Sequence, residues 1–236
     1  MTVHSRICAP DQQAGFDSEI TYRVFGNGEI SISNTVTVDE RPPSVPPAEL
    51  ESLPPELLGK DRRKYFVPRV GVELNLPGAL ENLTWYGRGP HENYVDRKIG
   101  AAVGHYQSTA TEQFTPYVYP SECGGHEDTR WLALTDQAGN GLMVVGLDNL
   151  HFDALHYSIR DLAEAKHIVA LQPRDDVILH LDARHMGVGG DDGWWSPVHP
   201  EFLVYPGIYR FAYKLKPITK QDDLSDVARI KIEGEF

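Results

Sequence analysis

The sequence predicts an all-β domain, a sandwich or barrel of short antiparallel strands, and three observations carry that expectation. Apolar and β-branched residues alternate with polar ones at period two along most of the chain. Turn chemistry breaks the alternation roughly every ten residues. Gly and Pro supply 21 and 17 of the 236 residues, which marks a turn-rich globular chain and not a helical bundle.

Residues 20–24 and 30–38 alternate on either side of Phe25-Gly26-Asn27-Gly28-Glu29, where glycine and asparagine supply the positive φ of a tight hairpin. Residues 41–64 carry Pro42, Pro43, Pro46, Pro47, Pro54 and Pro55, so they lack ladder donors and read as an exposed excursion. Strand patterns resume at 69–76 and 83–86. A second hairpin joins 130–135 to 142–147 through Asp136-Gln137-Ala138-Gly139-Asn140-Gly141. A short helix is expected after Tyr157, because Ser158 and Asp161 have capping-box spacing. Strands at 177–182, 201–205 and 209–215 complete the domain, the last two joined by Pro206-Gly207. The tail from Gln221 either forms a helix over 222–230 or frays. The resulting division is an extension 1–19, a domain 20–217 and a tail 218–236.

The formal charge of −12, from 22 basic and 34 acidic residues, excludes nucleic acid and anionic membrane as natural partners. No apolar run approaches the roughly 18 residues of a membrane span, and no signal peptide core follows Met1, which predicts a cytoplasmic protein. Cys8 and Cys123 make neither a disulfide framework nor a zinc knuckle. Ten scattered histidines without ligand spacing leave a metal site unsupported.

Three segments carry candidate chemistry. In 184–202, glycines 187, 189, 190 and 193 surround Asp191 and Asp192 and lead into Trp194 and Trp195. Indole faces beside carboxylates suit a pyranose, whose C–H patch lies on a ring while its hydroxyls bond to carboxylates. The alternative is that the tryptophans fill a core. Asp191 and Asp192 are adjacent, so they cannot face each other as a glycosidase pair and are better suited to turn formation. The second segment, 85–97, holds Glu92, Asp96 and Arg97 in a charge network around a Gly-Pro turn. In the third, 115–131, Glu122, His126 and Arg130 are candidates to line one concavity, with a His–carboxylate pair for acid–base work.

Taken in order, these segments resemble the C-terminal domain of the large bacterial β-galactosidases of glycoside hydrolase family two. The matching motifs are residues 85–97, 117–122 with Arg130-Trp131, 152–157, 179–182 and 185–192. The resemblance implies a β-supersandwich similar to galactose mutarotase-like domains, incomplete on its N-terminal side because strands ahead of Ile20 are missing. It implies that the catalytic glutamates, magnesium and sodium belong to other domains, so this chain carries no cofactor and no catalytic residue of its own. It places His185, Asp191, Asp192 and Trp194 in the loop that meets the sugar. Trp195 follows where the family has a small residue, which leaves open which indole faces the sugar. Glu92, Asp96, Arg97, Glu122 and Arg130 are then structural.

The reading that follows is a C-terminal part or small subunit of a β-galactosidase. Its expected partners are a β-galactoside or other saccharide and, through open sheet edges, a catalytic barrel chain or a second copy. A stand-alone carbohydrate-binding module is the alternative. A mutarotase-like enzyme drawing on His105, His126, His156 and Glu201 is a third.

Overall fold

The computed structural model describes residues 1–8, 15–39, 66–192 and 197–229. Among them are ten strands: β1 (Thr2–Cys8), β2 (Gly15–Val24), β3 (Ile30–Val38), β4 (Arg69–Leu76), β5 (Asn82–Gly89), β6 (Ala102–Thr109), β7 (His126–Thr135), β8 (Gly141–Leu155), β9 (Val177–His185) and β10 (Gly207–Ile218). Two short helices, α1 (Ile159–Glu164) and α2 (Leu224–Arg229), accompany them.

The strands run β1-β2-β3-β10-β8-β7-β5-β6, all antiparallel, and β9 and β4 branch from β8. β8 serves both parts: Gly141–Val145 pairs with β7 and β10, whereas His151–Leu155 pairs with β9. The core lies where the branch folds over the main sheet. There Trp85, Leu132, Leu134, Phe152, Leu179 and Leu181 pack together, each at most 1% exposed. The architecture is sandwich-like and not closed, in keeping with the all-β expectation.

Both expected hairpins are present. The first turns where Gly28, at φ +84°, donates to Phe25 O at 3.1 Å, and Phe25 N–H reaches Glu29 O at 2.9 Å. The second is closed by Asp136, whose Oδ1 accepts from the amides of Ala138 and Asn140 at 2.9 Å each. α1 has a full capping box: Ser158 Oγ accepts from Asp161 N–H at 3.2 Å and the Asp161 carboxylate accepts from Ser158 N–H at 2.8 Å. α2 lies within the stretch expected for the tail helix.

Four expectations are corrected. Residues 201–205 are not a strand: Pro200 opens a 3-10 turn over Pro200–Phe202, and only Val204 makes an isolated bridge, to Val67. β10 therefore forms no hairpin with them and pairs with β3 and β8. The boundary at Ile20 falls inside β2, and β1 adds a strand ahead of it, so the N-terminal residues are part of the sheet. β6 was missing from the expected strands. It is an edge strand paired with β5, and its Gly, His and Gln break the apolar alternation. The proline-rich stretch 41–64 lies outside the described residues.

Trp85 anchors the core. It touches His126, Tyr106 and Phe152 at ring-centroid distances of 4.5, 5.4 and 6.1 Å, and its Nε1–H donates to Arg88 O at 2.9 Å. Trp85→Ala is expected to cost about 3–5 kcal/mol in urea unfolding, with the m-value unchanged. A loss below about 1 kcal/mol would contradict this placement of the core.

Candidate functional site

The glycine-rich segment after β9 is a loop clamped at successive points. Met186 N–H donates to Pro68 O at 2.8 Å, Gly187 N–H to Phe202 O at 2.9 Å, and Gly189 N–H to Asp96 Oδ2 at 2.8 Å. Further on, Asp191 Oδ1 lies 2.8 Å from His199 Nε2, and this hydrogen bond raises the His199 pKa above its ordinary value. Gly187 explains the tight fit: a Cβ there would stand 2.5 Å from the Asp96 carboxylate. The other oxygen, Asp96 Oδ1, is buried without a hydrogen-bond partner. Asp96 thus holds this loop and does not belong to the Glu92–Arg97 network with which its sequence neighbours grouped it.

Beneath the loop sits a buried ionic cluster centred on Arg69, the first residue of β4. Its Nη2 lies 2.7 Å from Asp153 Oδ2 and 2.5 Å from Asp182 Oδ2, and its Nε donates to Asp182 at 3.0 Å. Glu122 stands 3.7 Å from Nη1, and its Oε1 is 3.6 Å from His185 Nε2 and accepts from Tyr94 Oη at 3.2 Å. His180 bridges inward to Asp153 at 2.7 Å and outward to Glu73 at 3.1 Å.

Burial alone would raise the Asp153 pKa, yet Arg69 and His180 hold it well below the usual carboxylate range. Burial would lower His180, and the Asp153 carboxylate keeps it above its ordinary value instead. Burial would likewise lower His185, which the Glu122 carboxylate 3.6 Å away raises. Strand geometry makes the cluster possible, because Asp153, His180 and Asp182 lie on paired positions of β8 and β9, while Arg69 pairs opposite His185.

A cleft of about 1010 Å³ opens beside the base of the loop. Lys98, Glu127, His151, Arg184, His185 and Tyr209 are among its walls. Its polar and charged character suits a hydroxyl-rich or charged ligand. Among the described residues no group of three or more His, Cys, Asp or Glu side chains is arranged to hold a metal ion.

Trp194 and Trp195 lie outside the described residues. Asp191 and Asp192 are exposed on the loop. His185 is not on the loop's outer surface: its side chain is 3% exposed, its Nδ1–H donates to Met186 O at 2.7 Å, and its ring stacks on His151 at 4.7 Å. Glu92 and Arg97 do form the expected pair, at 2.6 Å, with Tyr117 Oη and Thr115 Oγ1 also donating to Glu92.

Glu122, His126 and Arg130 do not share a concavity. Glu122 joins the Arg69 cluster, and Arg130 lies over the Tyr86 ring at 5.6 Å and donates to Asp128 O. His126 is 1% exposed with Gln113 Oε1 2.6 Å from its Nε2, and burial depresses its pKa to about 3. The mutarotase pool does not converge either. His105 stacks on Tyr86 at 4.6 Å, His156 pairs with Glu81 at 2.7 Å, and Glu201 stands 3.8 Å from His199.

Arg69 was missed because a lone arginine opening a strand carries no pattern. The signal for its partners was legible: His180 and Asp182 interrupt the apolar run 177–183 at period two, which in a buried strand demands a partner.

The chain is thus a sandwich-like all-β domain that clamps a glycine-rich, carboxylate-bearing loop over a buried ionic cluster. Residues 1–215 match the family described as β-galactosidase small chain, and the chain belongs to that family. The β-galactosidase of Priestia megaterium is 34% identical over 200 residues, 84% of this chain and 17% of that protein. That of Vibrio cholerae is 40% identical over 195 residues, 83% of this chain and 16% of that protein. The β-galactosidase BgaC of Bifidobacterium adolescentis is 42% identical over 141 residues, 58% of this chain and 13% of that protein. The chain thus spans 13–17% of the length of these curated relatives.

Two outcomes follow for the cluster. Arg69→Leu strands Asp153 and Asp182 in the interior and is expected to cost about 3–5 kcal/mol by chemical denaturation, whereas Arg160→Leu, in an exposed pair with Glu164, changes stability by less than about 0.5 kcal/mol. Equal costs would show that the cluster is not structurally central. His180 has a raised folded-state pKa, so its contribution is complete below an unfolded value of about 6.5 and is lost as pH rises through the folded value. His180→Gln should therefore lower Tm more at about pH 6 than at about pH 9. A pH-independent penalty would contradict the ion pair with Asp153.

Proposed function

We propose that this chain is the C-terminal region, or a small subunit, of a glycoside hydrolase family two β-galactosidase, and that the whole assembly hydrolyses terminal β-galactosides. The observation that carries the reading is the match of residues 1–215 to the β-galactosidase small-chain family while the chain spans only 16–17% of the first relatives. The catalytic glutamates, magnesium and sodium then belong to the remainder of the enzyme.

In this reading the chain contributes two things. One is packing surface. The other is the clamped loop, which presents Asp191, Asp192 and one of the indoles of Trp194 and Trp195 to the sugar or its leaving group. Asp96 acts as a positioning residue: its carboxylate accepts from Gly189 N–H on the loop whose sequence leads to the tryptophans. His185 supports the loop from below, where its Nδ1–H donates to Met186 O.

The test is a chimera of the Priestia megaterium β-galactosidase in which this chain replaces the 200 matching residues. The chimera is expected to hydrolyse a chromogenic β-galactoside, and the isolated chain is not. Trp194→Ala in the chimera should lower kcat/KM about tenfold, the worth of one stacked ring. Asp96→Ala should lower it comparably and Asp96→Asn should restore it, because an amide oxygen still accepts from Gly189 N–H. An inactive chimera, or hydrolysis by the isolated chain, would overturn the reading. Sugar affinity in the isolated chain together with an inactive chimera would favour a stand-alone binding module.

A further inference from the structure

A second cavity, about 660 Å³ and mostly apolar, lies between β4 and the sheet formed by β1, β2, β3 and β10. Its floor is one face of that sheet. Phe16, Ile20 and Tyr22 of β2 and Ile30, Ile32 and Val36 of β3 all reach it, and they are all even-numbered, as one face of paired strands requires. Its wall has the opposite signature. Six consecutive residues of β4, 69–74, line the groove, so β4 meets it along its edge and not with one face. Among the described residues β4 pairs only with β9, which leaves that edge without a ladder.

An apolar floor flanked by an unpaired strand edge is a slot for an added β-strand. The added strand hydrogen-bonds to β4 and lays its apolar side chains on the floor. With strands about 4.8 Å apart, the width from β3 to β1 takes about two of them. A polar mark lies in the same floor: Asn34, 3% exposed, donates to Phe211 O at 3.4 Å, while its Oδ1 is buried without a partner. An acceptor left in an apolar floor calls for a donor from whatever covers it.

Two features of the sequences bear on the occupant. Residues 40–65 contain Pro42, Pro43, Pro46, Pro47, Pro54 and Pro55, which have no N–H to give a ladder. The matching β-galactosidases, by contrast, have more than four-fifths of their length outside the region this chain covers. We infer that the slot between the β4 edge and the β1–β3 floor receives one or two alternating apolar–polar strands from the remainder of the β-galactosidase polypeptide. This rests on the functional reading above and gives its assembly a definite location, at β4 and not at the exposed edges β1 and β6.

The test compares amide hydrogen exchange in the isolated chain and in the chimera. In the isolated chain, alternate amides of Arg69–Leu76 are expected to exchange about tenfold or more faster than those of β9, and the apolar dye anilinonaphthalene sulfonate to bind. In the chimera those β4 amides become protected and the dye no longer binds, while β1 and β6 change little. Ile20→Lys, which places a charge on the floor, should restore fast β4 exchange in the chimera. Glu19→Lys, on the opposite face of β2, should not.

An active chimera whose β4 amides remain unprotected overturns the inference and leaves the functional reading standing. An inactive chimera with protected β4 does the reverse. Protection of β4 in the isolated chain overturns the inference as well, in favour of this chain's own residues if it is a monomer and of a second copy if it is a dimer.

Discussion

The Arg69 guanidinium, held between the carboxylates of Asp153 and Asp182, joins β4, β8 and β9 at one buried point. Each of these charges would be costly to bury alone, and each is stabilised only because the others are in place. Position follows from that mutual need. With Arg69 fixed, the neighbouring Pro68 carbonyl is placed to accept from Met186, and Glu122 is placed beside His185. The loop that leaves β9 therefore starts from a rigid base before Asp96 and His199 take hold of it further along.

The same cluster separates two surfaces with different characters. On one side are the loop and a charged cleft, suited to a hydroxylated ligand. On the other is an apolar groove along the unpaired edge of β4, suited to backbone and apolar side chains. Arg69 lines that groove as well, so the residue that anchors the loop stands next to the proposed assembly slot. Strand addition at β4 would stiffen the strand whose first residue carries the cluster. Assembly and loop geometry would in this way be linked through one short strand.

Much of the sheet could be read from the sequence because its strands have one buried face. β3 and β5 alternate visibly, and the Gly28 and Asp136 turns have side-chain chemistry that requires them. β1 escaped because all seven of its residues are exposed and no apolar face marks it. Residues 201–205 misled because apolar spacing around Phe202, Leu203 and Val204 mimics a strand, while Pro200 and the Phe202-to-His199 bond dictate a turn. At the site, the spacing of Glu92 and Arg97 announced their pair, but Asp96 was grouped with them although its partner, Gly189, is 93 residues away. Long-range pairing of single residues leaves no local pattern, which is also why Arg69 was silent. The family resemblance carried by the sequence motifs agrees with the match over residues 1–215.

Whether the buried cluster fixes the loop is read from amide exchange of Gly187 and Gly189 in Arg69→Leu. Both amides are expected to lose protection in the variant well beyond any loss in β5 and β7, since their acceptors, Phe202 O and the Asp96 carboxylate, depend on the base that Arg69 holds. A uniform loss across the sheet and the loop, or none at the two glycines, would contradict it.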